Sequence, residues 1–161
     1  MNIRFGILTI SDRSSRGERP DLSGPALVDL VQANSWQVIK QEIVPDEMDS
    51  IQEKLKAWAD SGEMDVLLTT GGTGFAPRDV TPEATRAVVE RFTPGLDEAM
   101  RTASLEVTPH AMLSRAASGI RKLTLIVNLP GSPKGATENF QVLVPVLEHA
   151  IKLLQEKDAG H

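Results

Sequence analysis

The stretch Asp65-Val66-Leu67-Leu68-Thr69-Thr70 constrains the fold more than any other part of the chain. It is short, apolar and β-prone, without the polar alternation of a half-exposed strand. It is therefore expected to be a central strand buried on both faces, which requires helices above and below a parallel sheet. Gly71-Gly72-Thr73-Gly74 follows at once. Three glycines in four positions permit turns closed to other residues and let backbone N–H groups approach a ligand closely. A helix then opens at Thr81-Pro82-Glu83, with Thr81 as its expected N-cap, Pro82 at N1, and Ala84, Val88, Val89 and Phe92 as its buried stripe.

The same pattern repeats on either side. Residues 3–10 read as a strand, and the polar stretch 11–21 after it is too long for a tight turn, so it reads as part of a site. Ser23-Gly24-Pro25 opens a helix that buries Leu27, Leu30 and Val31. Residues 36–44 read as a second strand, ended by Pro45-Asp46-Glu47. Asp49 or Ser50 is expected to cap the next helix, which carries Ile51, Leu55 and Trp58 at i, i+4, i+7 and stops at Gly62. Residues 94–118 suggest one or two short helices and a connecting segment, and residues 120–128 a further strand. Leu129-Pro130-Gly131-Ser132-Pro133-Lys134-Gly135 leads into a long helix with Phe140, Leu143, Val144, Leu147, Ile151 and Leu154 on one face. Pro145 is expected to kink or divide that helix, and residues 156–161 to fray. Trp36 and Trp58 are expected in the core or an interface.

This order implies a doubly wound three-layer α/β/α sandwich with a mostly parallel sheet, in one domain spanning residues 1–161. Ligands of such folds bind beyond the carboxyl ends of the strands. The loops 11–21, 45–49, 71–80 and 129–135 are accordingly expected to share one edge.

Composition narrows the function. A formal net charge of −5 argues against a broad nucleic-acid footprint, which needs clustered Lys and Arg, but leaves room for a small anionic ligand. Zero cysteines exclude disulfides, thiolate metal sites and cysteine nucleophiles. No apolar run approaches 18 residues, so no membrane span is expected and the cytoplasm is the expected location. His110, His149 and His161 are too scattered for a metal cluster, and no G-x-S-x-G elbow occurs.

The glycine loop matches neither the P-loop nor the dinucleotide signature, yet it suits a phosphate or pyrophosphate, with Thr70 and Thr73 adding hydroxyl donors. A tight turn demanded by packing is the competing reading. Arg78 could bind phosphate through its fork of donors. Asp79, just before a helix, is either a dipole-stabilising carboxylate or a Mg²⁺ ligand, with Asp46 as its natural partner on the same edge. Asp12 is a third acidic candidate. Asn128, Pro130, Gly131 and Ser132 could hold a second ligand segment, with Lys134 supplying charge.

Ser11-Asp12-Arg13, Pro45-Asp46-Glu47, the glycine loop, Arg78-Asp79-Val80-Thr81-Pro82-Glu83 and Asn128-Leu129-Pro130-Gly131-Ser132-Pro133 occur in the order seen in one known family. Over nearly the whole chain the sequence resembles the molybdenum-cofactor biosynthesis domains of the molybdopterin-adenylyltransferase type. The resemblance implies a homotrimer and Mg²⁺-dependent transfer of AMP from ATP to the terminal phosphate of molybdopterin, with release of pyrophosphate. It also implies a product passed on for molybdate insertion. It places the catalytic, metal-binding aspartates on Asp46 and Asp79, and ligand-binding loops on Gly71, Gly72 and Gly74 and on Pro130, Gly131 and Ser132. The competing reading within the same pathway is a non-catalytic molybdopterin-binding or carrier protein.

Overall fold

The structure, a computed structural model, describes residues 1–156. His161 and nearly all of the terminal stretch expected to fray lie outside the described residues.

Six strands form one sheet: β1 (Arg4–Ile10), β2 (Gln37–Val44), β3 (Val66–Thr70), β4 (Arg91–Phe92), β5 (Ser118–Arg121) and β6 (Thr124–Leu129), in the order β2-β1-β3-β6-β5-β4. The β2-β1-β3-β6 half is parallel, and β5 and β4 are antiparallel additions at one edge. Every residue of β3 is buried, as its apolar run requires. The helices are α1 (Asp12–Ser15), α2 (Ser23–Ala33), α3 (Met48–Asp60), α4 (Thr81–Val88), α5 (Pro94–Leu105) and α6 (Pro133–Gln155), with a 3₁₀ turn at Pro109–Leu113.

Alternation along the strands divides the core in two. Ile3, Phe5 and Ile7 of the first strand region pack with Leu27 and Val31 of α2, Met100 of α5, and Phe140, Leu143 and Leu147 of α6. Leu8, Ile10 and Leu67 face the other way, onto Ile51, Leu55 and Trp58 of α3 and Ala84 and Val88 of α4. Both tryptophans are therefore core residues. Phe5, Trp36 and Phe140 make a three-ring cluster with centroids 5.6–6.4 Å apart.

Four local expectations are corrected. Residues 120–128 are not one strand. Lys122 takes a left-handed φ of 52° and turns the chain between β5 and β6, so the apolar stretch forms an antiparallel hairpin. Phe92 does not continue the stripe of α4, because that helix ends at Val88 and Phe92 lies exposed on β4. Of the kink or division expected at Pro145, the division is absent: α6 runs through it as one helix. Glu47, not Asp49 or Ser50, precedes α3, without a side-chain cap. Part of the long first loop is helical, with the Ser11 hydroxyl accepting from the Ser14 N–H at the start of α1.

Candidate functional site

Register builds the site. Ile10 lies beside Val44, Thr9 beside Thr70, and Thr70 beside Leu129, so the three parallel pairings end level with one another. The residues just beyond these ends are Asp12, Asp46, Gly71 and Pro130. A one-residue slip in any pairing would turn its side chains to the opposite face and separate them.

A cleft of about 200 Å³ opens at this edge. Asp46, Thr70, Gly71, Gly72, Asp79 and Gly131 line it, together with Arg19, Asp21 and Ser23. All four loops expected to share the edge contribute to it. A second cleft of about 290 Å³ adjoins it beyond the glycine loop, lined by Thr73, Gly74, Pro130 and Ser132 and by Arg101, Val107, His110 and Leu113. The two glycine loops thus form a partition with a hollow on each side. The Thr70 hydroxyl donates to the Pro130 carbonyl at 2.6 Å, the Ser23 hydroxyl donates to the Gly131 carbonyl at 2.5 Å, and the Gly71 N–H reaches the Leu129 carbonyl at 3.1 Å.

Asp12 and Asp46 clasp each other through backbone. The Asp12 N–H donates to Asp46 Oδ2 at 2.9 Å and the Asp46 N–H to Asp12 Oδ1 at 3.0 Å. Burial pushes the Asp46 carboxyl above its ordinary value; the hydrogen bond from Asp12 opposes this, and the charges of Asp12 and Asp79 add to it. Asp46 and Asp79 bring two carboxylates, hard oxygen donors, to the wall of one cleft. The donor set fits Mg²⁺, which commonly takes one or two carboxylates and completes its shell with waters and substrate phosphates. Among the described residues no group of three or more His, Cys, Asp or Glu could hold a metal.

Four of the sequence candidates have other work. Arg78 does not point its charge at the cleft: it forms a bidentate pair with Asp12 at 2.9 and 3.0 Å and reaches Glu47 at 2.8 Å. That pairing lowers the Asp12 carboxyl below its usual range. Asn128 is fully buried, donating to Thr69 and Thr85 hydroxyls and accepting the Ala117 N–H, so it ties β3, α4 and the approach to β5 together. Lys134 is exposed and sits 3.8 Å from Glu138, one turn along α6. The Ser132 hydroxyl accepts the Gly135 N–H and caps that helix.

Thr81 is not the N-cap of α4. Val80 holds that position, and the Thr81 N–H goes to the Gly72 carbonyl at 3.2 Å. The Thr81 hydroxyl is fully buried where a Cβ on Gly72 would lie, and among the described residues it has no hydrogen-bond partner. A buried hydroxyl left unsatisfied costs about 1–3 kcal/mol. Thr81→Val keeps the shape without the penalty, and at roughly 2–4 °C per kcal/mol is expected to raise Tm by about 2–12 °C in thermal unfolding.

Sequence reasoning missed Arg115. It lies in the connecting segment before β5, where no periodicity marks it. Its guanidinium donates to the Gly74 carbonyl at 2.8 Å, the Asp79 carbonyl at 2.7 Å and both oxygens of Glu83, while its own N–H reaches the Thr73 carbonyl at 2.8 Å. One side chain thus fixes both ends of the loop that carries Asp79. Asp21 was also missed: it accepts from the Thr9 hydroxyl and the Gly24 N–H, anchoring the first loop to β1 and α2.

A doubly wound sheet with carboxylates and a glycine-lined cleft at its carboxyl edge places this chain among the α/β proteins built to take a ligand beyond the ends of their strands. Residues 6–149 match the probable molybdopterin binding domain, and the chain belongs to that family. It is 42% identical to the molybdopterin adenylyltransferase of Helicobacter pylori strain J99, covering 94% of this chain and 88% of that protein. It is 50% identical to the molybdenum cofactor synthesis protein cinnamon of Drosophila melanogaster over 95% of this chain, but spans only 26% of that longer protein. The solved structure of the molybdopterin biosynthesis enzyme MoaB from Thermus thermophilus superposes with a TM-score of 0.90 at 50% identity, covering 96% of this chain and 98% of the other. These likenesses agree with the fold and family inferred from the sequence motifs.

Proposed function

We propose that this chain is a molybdopterin adenylyltransferase, transferring AMP from ATP to the terminal phosphate of molybdopterin with release of pyrophosphate. The observation that carries the reading is the meeting of Asp46 and Asp79 with the Gly71–Gly72 backbone in one cleft, in a chain similar over most of its length to a protein of that name. The polar cleft suits phosphates, and the adjoining one, with Val107 and Leu113 in its wall, suits a ring system.

The reaction asks little proton chemistry of the protein. The phosphomonoester of the pterin is ionised at neutral pH and needs no general base. One of its oxygens forms a bond to the α-phosphorus of ATP as the bond from that phosphorus to the bridging oxygen breaks, and pyrophosphate departs with the electron pair. Catalysis then rests on positioning and charge stabilisation. Asp46 and Asp79 would hold Mg²⁺, which when bound neutralises phosphate charge. The N–H groups of the glycine loop orient a phosphoryl group, and Arg115 keeps that loop in place.

The further parts of this reading are a homotrimer, a cytoplasmic location and delivery of the adenylated product to a molybdate-inserting protein. A groove of about 470 Å³ between β5, α5 and α6, lined by Leu96, Ile120, Leu153 and Leu154, with Phe92 exposed on neighbouring β4, supports self-association, which sedimentation velocity measures. Among the described residues no helix is long and apolar enough to cross a membrane.

The test is a product assay with purified protein, molybdopterin, ATP and Mg²⁺. Adenylated pterin and pyrophosphate are expected in equal amounts. Pterin binding without product under any divalent metal would instead establish the carrier reading.

A further inference from the structure

Polyanionic substrates need positive charge in the cleft beyond what a cation on Asp46 and Asp79 supplies, and most nearby arginines are committed elsewhere. Arg78 is held by Asp12 and Glu47, Arg16 by Glu18, and Arg115 by Glu83 and two loop carbonyls. Arg19 differs from all three. It lines the same cleft as Asp46, Gly71, Gly72 and Asp79, and it is exposed. Among the described residues, no ion pair or hydrogen bond engages its guanidinium.

Its position is built rather than accidental. Gly17 turns the chain with a left-handed φ of 72° after α1, and Pro20 follows Arg19 directly. Asp21 is then pinned by the Thr9 hydroxyl at 2.7 Å and the Gly24 N–H at 3.1 Å. Two residues upstream of that anchor, the backbone of Arg19 has little freedom to leave the cleft. The side chain remains free, with five donors in a fork that matches two phosphate oxygens.

We infer that Arg19 is a substrate-binding residue whose guanidinium takes a phosphate oxyanion in the cleft it shares with Asp46 and Asp79. The inference rests on the adenylyltransferase reading only for the identity of the phosphate, which is either the polyphosphate of the nucleotide or the phosphomonoester of the pterin. Arg19 does the work that sequence reasoning offered to Arg78 and Lys134.

Calorimetric titration of the full chain with inorganic pyrophosphate and Mg²⁺ tests the site without turnover. Arg19→Gln is expected to weaken pyrophosphate binding roughly ten- to hundredfold, the usual worth of a hydrogen bond to a charged group. Arg19→Lys is expected to recover part of that loss. Lys152→Gln removes the same charge from the exposed distal end of α6 and is expected to change nothing. In the kinetic arm, a rise in KM for ATP with KM for molybdopterin unchanged assigns the nucleotide phosphates, and the converse assigns the pterin phosphate. Pyrophosphate binding equal in wild type and Arg19→Gln, or absent from wild type, overturns the inference. If Arg19→Gln loses pyrophosphate affinity while wild type makes no adenylated pterin, the inference stands and the adenylyltransferase reading fails. If wild type turns over and Arg19→Gln matches it in binding and in both KM values, the reverse holds.

Discussion

Asp46→Asn and Asp79→Asn are each expected to lower the rate of adenylated-pterin formation roughly 10²- to 10³-fold, the scale of losing one preorganised electrostatic group in an active site. Neither change is expected to unfold the protein. An asparagine at position 46 retains an oxygen to accept the Asp12 N–H, and one at 79 retains an oxygen for the Ala76 N–H, which Asp79 now accepts at 3.0 Å. At position 46 the neutral amide also removes a charge that burial disfavours and that Asp12 and Asp79 repel. Thermal unfolding should therefore give Asp46→Asn a Tm equal to or above that of wild type. A carboxylate kept where folding alone would prefer an amide is one kept for a ligand. A variant with full activity, or activity lost only because Tm collapses, would remove Asp46 from the proposed machinery.

Gly71→Ala is the second large effect, and it acts on stability. Gly71 has φ +107°, and a Cβ there would overlap the Ile10 carbonyl oxygen, a backbone atom that cannot swing aside. Backbone strain of about 1–3 kcal/mol and steric displacement of about 1–3 kcal/mol together amount to about 2–6 kcal/mol, which at roughly 2–4 °C per kcal/mol centres on a Tm lower by about 10 °C. Gly62→Ala supplies the comparison. Its φ is +74° but among the described residues nothing lies within 4 Å of the added Cβ, so it carries the strain alone and is expected to cost about 1–2 kcal/mol. Equal losses in the two variants would show that close approach at Gly71 contributes nothing. The approach matters because Gly131 meets Gly71 across the partition, a Cβ on Gly131 lying 3.3 Å from the Gly71 α-carbon. Displacing that backbone would disturb both clefts together.

Local chemistry accounts for what was legible in the sequence. The apolar run of β3, the helical spacing of Ile51, Leu55 and Trp58, and the glycines after β3 each act over a few residues, and each produces the element expected of it. The motif order was specific enough to imply the family. Less was legible where two local solutions compete. Residues 120–128 are β-prone throughout, and only the left-handed turn at Lys122, supported by its N–H to Glu90 Oε1 at 2.6 Å, makes a hairpin of them. Phe92 reads as a helical stripe residue until pairing with Gly119 draws it into an edge strand.

The sequence by itself determined the layers, the carboxyl edge that carries the cleft and the placing of Asp46 and Asp79 in edge loops, because burial periodicity and glycine conformational freedom are properties of short segments. Only the tertiary structure decided which charges remain free. Arg78 and Arg19 look equally available in the sequence, but Arg78 meets Asp12 and Glu47, residues 66 and 31 positions away, while among the described residues no ion pair or hydrogen bond engages Arg19. The same holds for Asn128, a ligand candidate at the end of an expected strand, which strand register turns inward to Thr69 and Thr85. An ion pair or a buried amide depends on where distant segments come together, and that is set by the sheet and its register rather than by any stretch of the chain read alone.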